Sequence, residues 1–150
     1  MSAYMLIMRV ADEAAAQRAM QEAGMDFDKM METMGRFNEE LFNAGVLVAG
    51  EGLEDAALGA VVDYSSTPPV VTDGPYGETK ELFNGFWIID VPTKEAAVEW
   101  ALKVPAGPGV KTEIRRIPDI SEFPSDNPWI QREIEWRKEL IRRQAAKAGV

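Results

Sequence analysis

VVTDGPYGETKELFNGFWIIDV, residues 70–91, joins two opposite kinds of sequence. Its second part, Phe83 to Val91, is the longest aromatic and β-branched run of the chain and reads as a strand. Ahead of it, Thr72 to Glu81 crowds Gly74, Pro75 and Gly77 among Asp73, Glu78, Lys80 and Glu81, a polar loop between extended segments. Gly85 inside the strand marks a bulge or a place where another group lies against bare backbone. Val70 to Thr72 answers Leu58 to Tyr64 across the turn Ser65 to Pro69, which predicts a hairpin.

Upstream, Tyr4 to Met8 is near-continuously apolar, as in a strand at the centre of a sheet. Glu13 to Ala23 is alanine-rich and predicts a short helix capped by Asp12, without a side chain large enough to anchor it. From Asp26 to Ala44 the residues Phe27, Met30, Met31, Met34, Phe37, Leu41 and Ala44 recur at three- and four-residue steps, predicting a helix with one apolar face. Asp26 offers its N-cap and Gly45 its left-handed C-terminal residue. The methionine and phenylalanine stripe is read as core packing in preference to a cofactor pocket. Val46 to Ala49 is a short strand running into Gly50-Glu51-Gly52, where glycines around a carboxylate indicate a bulge or a close backbone approach.

Downstream, Thr93 caps a second amphipathic helix through Val104, stopped by Pro105. Val110 to Ile117 alternates apolar and charged side chains, a strand with one face in water. Asn127-Pro128 opens a last helix, on which Trp129, Ile130, Ile134, Trp136, Leu140 and Ile141 form an apolar side. Glu133 with Arg137 and Glu139 with Arg143 stand at i, i+4 and can pair.

These elements predict an α+β fold: an antiparallel sheet with two helices on one face, ferredoxin-like connectivity being the commonest small form. The division expected is a domain over residues 1–118 and a helical extension over 119–150. The uncovered sheet face calls for a homodimer. At 150 residues with 46% apolar and 27% charged side chains the chain can bury a core. Its net charge of −9 argues against nucleic acid and anionic membrane as partners. The first ten residues lack the features of a signal peptide, so a cytoplasmic protein is the simplest reading. With neither cysteine nor histidine, thiolate and imidazole chemistry are excluded, no metal site is expected, and no cofactor is called for.

Residues 70–91 closely resemble the signature of the YCII-related family, in its DGPF branch, whose members carry a DGPF-x-ETKE segment. The resemblance extends to the opening strand YMLIM, to LFNAGVLVAGEGL at Leu41 to Leu53 and to VKTEIRRI, covering residues 3 to 117. Tyr76 stands where the family usually has phenylalanine, and the tail from Asp119 is additional. The resemblance implies a ferredoxin-like domain pairing into a dimeric α/β barrel, with a pocket between helix and sheet in each subunit. Some relatives have been proposed as enzymes through a histidine and aspartate pair. Asp73 matches the aspartate, but this chain has no histidine, so that dyad cannot operate here.

Two carboxylates carry the catalytic expectation. Asp73 either fixes the Asp-Gly-Pro turn or serves as a proton-transfer group at a pocket mouth. Glu51, between its glycines, is either a bulged surface residue or the partner of Asp73 in acid and base work or in holding an oxygen-liganded cation such as Mg²⁺. Tyr4, Arg9, Tyr76, Lys80 and Trp87 are candidate ligand contacts. For Lys80 the competing reading is a surface pair with Glu78 or Glu81, and for Tyr4 and Trp87 it is core packing. Function is accordingly expected as binding of a small, partly apolar molecule in a helix–sheet pocket. The alternatives are a small isomerase or lyase using Asp73 and Glu51, and an interaction module presenting Trp129 and Trp136.

Overall fold

A computed structural model describes residues 1–74 and 80–149, in two compact units, Met1–Ile117 and Pro118–Val150. The chain order is β1 (Ser2–Val10), α1 (Glu13–Glu22), α2 (Phe27–Asn43), β2 (Leu47–Gly52), β3 (Ala60–Asp63), β4 (Val70–Asp73), β5 (Leu82–Val91), α3 (Lys94–Ala101), β6 (Val110–Ile117) and α4 (Pro128–Lys147). The fold is α+β. Four strands form one sheet in the order β2-β5-β1-β6, and every neighbouring pair is antiparallel. With the β3–β4 hairpin set aside, this order is the one that ferredoxin-like connectivity produces. The hairpin forms a two-stranded sheet of its own, with Ala60 opposite Asp73 and Asp63 opposite Val70.

The side-chain period of two divides the sheet into unlike faces. Tyr4 and Leu6 of β1 and Trp87, Ile89 and Val91 of β5 point to one side, where they bury against Phe37 and Leu41 of α2 and Ala97 of α3. Leu6 sits opposite Trp87 on one flank and Ile114 on the other, so the adjacent strands β5, β1 and β6 contribute to a single core layer. Trp87 meets Phe37 edge to face with ring centroids 5.2 Å apart. Helix α2 begins and ends where the sequence says, whereas α3 stops at Ala101, short of the expected Val104. Asp26 Oδ1 accepts the Lys29 N–H at 2.9 Å. At the other end of α2, Gly45 adopts φ +70°, and its N–H donates to the Phe42 carbonyl while the Val46 N–H reaches back to that of Leu41. This is a Schellman ending, which needs a left-handed residue at the position Gly45 occupies.

Two glycines of the sheet are required by close approach. A Cβ on Gly85 would lie 2.9 Å from the Glu51 carbonyl oxygen and 3.3 Å from the Gly52 Cα. One on Gly50 would come within 2.8 Å of the Trp87 ring. The β1–β5 register slips next to this point, between Met8 and Arg9, so that Asn84 has no partner on β1; its carbonyl instead accepts the Leu53 N–H at 3.0 Å.

One expected strand is corrected. Leu58 does not open β3, because Ala56–Leu58 is a 3-10 turn capped by Asp55 and the strand begins only at Ala60. The Asp55 carboxylate takes the Ala57 N–H at 2.9 Å, giving the backbone a local partner that competes with a ladder bond.

In the second unit, Asn127 Oδ1 caps α4 through the Trp129 N–H, with Pro128 at the first helical position. The expected ion pairs Glu133–Arg137 and Glu139–Arg143 both form, at 2.6 and 2.9 Å. The Trp129 and Trp136 rings lie 6.4 Å apart, tilted by 55°, and stay exposed.

The Gly85 contact sets a test. Gly85→Ala should destabilise the protein by about 1–3 kcal/mol, the usual cost of overpacking a rigid site, whereas Gly107→Ala, with open space around its Cβ position, should stay within about 0.5 kcal/mol. Urea denaturation of the two variants decides it; equal midpoints would contradict the close approach.

Candidate functional site

Between α1, α2, the loop Pro105–Pro108 and the Trp87 face of the sheet lies a cavity of about 820 Å³. That volume is within the range of small-molecule sites. Its walls are thioether-rich, with Met8, Met20, Met25, Met30 and Met34 beside Leu47 and Trp87, and its polar groups include Glu13, Gln17, Thr33, Asn38 and Asn84. Residues of four strands, β1, β2, β5 and β6, and of the helices α1 and α2 form it.

The methionine stripe of α2 is thereby split. Phe37 and Leu41 enter the core as expected, but Met30 and Met34 line the cavity, and Phe27 and Met31 are exposed. A 3.6-residue period identifies the face of a helix, not how far the opposing layer stands from it. At its N-terminal half α2 stands over the cavity, and at its C-terminal half over the packed sheet.

Of the candidate residues, Trp87 and Glu51 line this cavity, but differently. Gly50 lies against the Trp87 ring, so the next residue on β2 projects from the other side of the sheet, and Glu51 pairs in register with Phe86. Glu51 therefore offers its backbone to the cavity, while its exposed carboxylate belongs to the opposite face. Trp87 is 6% exposed and its indole Nε1–H donates to Asn38 Oδ1 at 2.8 Å. Tyr4 is likewise 6% exposed, within the core. Asp73 ends β4 on the separate hairpin and is exposed, with no hydrogen bond or ion pair to another described residue. The structure does not bring it beside Glu51 in one sheet. Lys80 is exposed, and Tyr76 lies outside the described residues. Among the described residues no three carboxylates gather as a metal site.

Arg9 belongs to an ionic chain on the face away from the helices. Glu81 receives the Arg9 guanidinium and the Lys111 ammonium, each at 2.6 Å. Arg9 also donates to Glu113 at 3.0 Å. The Glu81 side chain is only 14% exposed, and the hydrogen bond from Lys111 holds its carboxyl below the ordinary glutamate value; burial opposes this in part, and the charges of Arg9 and Lys111 reinforce it. The expected partner of Lys80, Glu81, is thus committed elsewhere, because β1–β6 pairing sets Arg9 opposite Lys111.

A family model described as the YCII-related domain matches residues 3–121. The chain belongs to the YCII-related family. An uncharacterised protein of Rhizobium meliloti (strain 1021) is 28% identical over 74 residues, a match spanning 49% of this chain and 60% of that protein. In this YCII-related chain, the last residue of the ETKE segment, Glu81, ties the start of β5 to the strands β1 and β6, a cross-sheet role. Two residues of structural weight escape a reading of the sequence. Asn38 sits on the polar side of a helical repeat, and Glu113 on the wet face of an alternating strand.

Glu81 makes a pH prediction. A carboxyl whose folded pKa lies below its unfolded value adds stability that is complete above the unfolded value, here 4.5, and is lost as pH falls through the folded one. The stability gap between wild type and Glu81→Gln should therefore be constant around neutrality and close progressively below pH 4.5. Chemical denaturation across the acid range measures this, and a gap independent of pH would refute it.

Proposed function

We propose that this protein is a homodimeric small-molecule binding protein whose ligand occupies the helix–sheet cavity. The observation that carries the reading is the cavity itself. Five methionines line a space of about 820 Å³ directly beside a core containing fully buried Leu6, Leu41 and Ile89, and a ligand seated there takes that apolar surface out of water. Assignment to the DGPF branch rests on the Asp73 to Glu81 motif.

The dimeric α/β barrel is supported by the second sheet face. Met5 and Ile7 of β1 stand opposite Ile88 and Phe86 of β5 on the side away from α2 and α3, forming an apolar strip edged by the Glu81 ionic chain. A second copy laid on this strip covers it in the same way in both subunits. Asp73 and Glu51 lie in separate sheets, and no geometry favours a proton-transfer pair over binding. The interaction-module reading has one observation of its own, the exposure of Trp129 and Trp136 on α4.

Light scattering should give the mass of two chains at micromolar concentration. Ile7→Glu, which places a charge in the strip, should give monomers with unchanged circular dichroism, while truncation before Asp126 should leave the dimer intact. A monomeric wild type sinks the pairing, and dissociation on truncation alone transfers it to α4. For the cavity, thermal shift against a metabolite library should find at least one stabilising compound. At a hundredfold excess over Kd a bound ligand adds about 2.7 kcal/mol, a rise in Tm of roughly 5–10 °C. A flat response across ligand classes would reject the binding reading.

A further inference from the structure

The cavity's own side chains restrict what can enter it. Among the described lining residues there is no lysine or arginine, and the only carboxylates are Glu13 and Glu51. Since the register turns the Glu51 side chain to the other face, Glu13 is the one charged residue left to the lining among the described residues. An anionic ligand would leave water for a site that offers no cation and already holds a negative charge, which is costly on both counts.

The hydrogen-bonding groups add a polarity. An indole N–H can only donate, so the group of Asn38 that faces Trp87 is its oxygen. The Asn38 Nδ2 is left as a donor, with no acceptor among the described residues, on a side chain that lines the cavity. Gln17 and Asn84 bring further amides to the lining, but Asn38 is the one whose oxygen is held by Trp87 and whose donor is thereby oriented; the Thr33 hydroxyl hydrogen is already given to the Lys29 carbonyl at 2.7 Å. Methionines and Trp87 surround this donor with polarizable apolar surface suited to a flat or irregular hydrocarbon body.

We infer that the cavity takes an uncharged, largely apolar molecule carrying a carbonyl or ether oxygen, with that oxygen received by the Asn38 amide, and that it rejects carboxylate counterparts of the same shape. This rests on the cavity being a binding site and assigns the ligand class to it.

A matched pair of probes tests it: 1-acetonaphthone, a neutral aryl ketone, and 1-naphthoate, its near-isosteric anion at neutral pH. Both are titrated into the ¹⁵N-labelled full chain while following the Trp87 indole cross-peak, assigned with Trp87→Phe. The ketone should bind at least about tenfold more tightly than naphthoate. Asn38→Asp keeps an acceptor for the Trp87 N–H but removes the inward donor, and should weaken the ketone about tenfold, the worth of one hydrogen bond in a dry site. Thr33→Lys, which adds a cation to the lining, should bring naphthoate to within reach of the ketone. If naphthoate binds wild type as tightly as the ketone, if Asn38→Asp leaves ketone affinity unchanged, or if Thr33→Lys gains nothing for naphthoate, the assignment of ligand class is overturned while the cavity remains a binding site. If neither probe moves the Trp87 signal at millimolar concentration, the binding reading falls and this inference with it.

Discussion

β5 is hydrogen-bonded on both sides, and at Gly85 its backbone has strand β2 pressed against it with no room for a methyl group. The 2.9 Å separation from the Glu51 carbonyl to the Cβ position means that β2 can seat itself on β5 only if residue 85 is glycine. Trp87, two residues on, closes against Gly50 in the reciprocal way. These two glycine contacts place a bulky indole at the boundary between core and cavity. From there Trp87 packs on Phe37, hydrogen-bonds Asn38 and thereby anchors the middle of α2. Much of the first unit follows from that arrangement, since α2 is the helix that contributes both to the packed layer and to the wall of the void.

The same strand has two different environments on its two faces. Toward the helices its side chains are buried or border the cavity. Away from them, Phe86 and Ile88 continue the apolar character of Met5 and Ile7, until the Arg9, Glu81, Lys111 and Glu113 chain ends it. An ionic border of this kind has little worth as isolated surface pairs, but it marks where apolar surface stops. Glu81 is the member with the least exposure and two cationic partners, so the acid sensitivity of the sheet concentrates there.

Much of the fold was legible because local rules decide it. The caps at Asp26 and Asn127, the left-handed Gly45 and the alternation of Val110 to Ile117 each follow from a few neighbouring residues. The 3-10 turn at Ala56–Leu58 was not legible, since Leu58 joins an apolar run in the sequence while Asp55, three residues before it, diverts the backbone. The site was harder to see. Glu81 meets Lys111 across 30 positions, and Trp87 meets Asn38 across 49; neither separation has a periodicity. Met30 and Met34 share the apolar stripe with Phe37 and Leu41, and only the placement of α1 separates cavity from core. The polar loop of the family signature led attention to Asp73 and Lys80, both exposed, whereas the groups that shape the cavity lie mainly on α1, α2, β2 and the first half of β5.

The helix that walls the cavity on one side, α1, contains no fully buried residue, while α2 beside it buries Phe37 and Leu41. Elements that bury little detach at a fraction of the free energy of global unfolding. Swinging α1 aside exposes alanines and a methionine and leaves the sheet and its Trp87 layer in place. Amide protons of residues 13–22 should therefore exchange at a free energy well below that of global unfolding, and the wall that α1 gives the cavity should loosen before the sheet does.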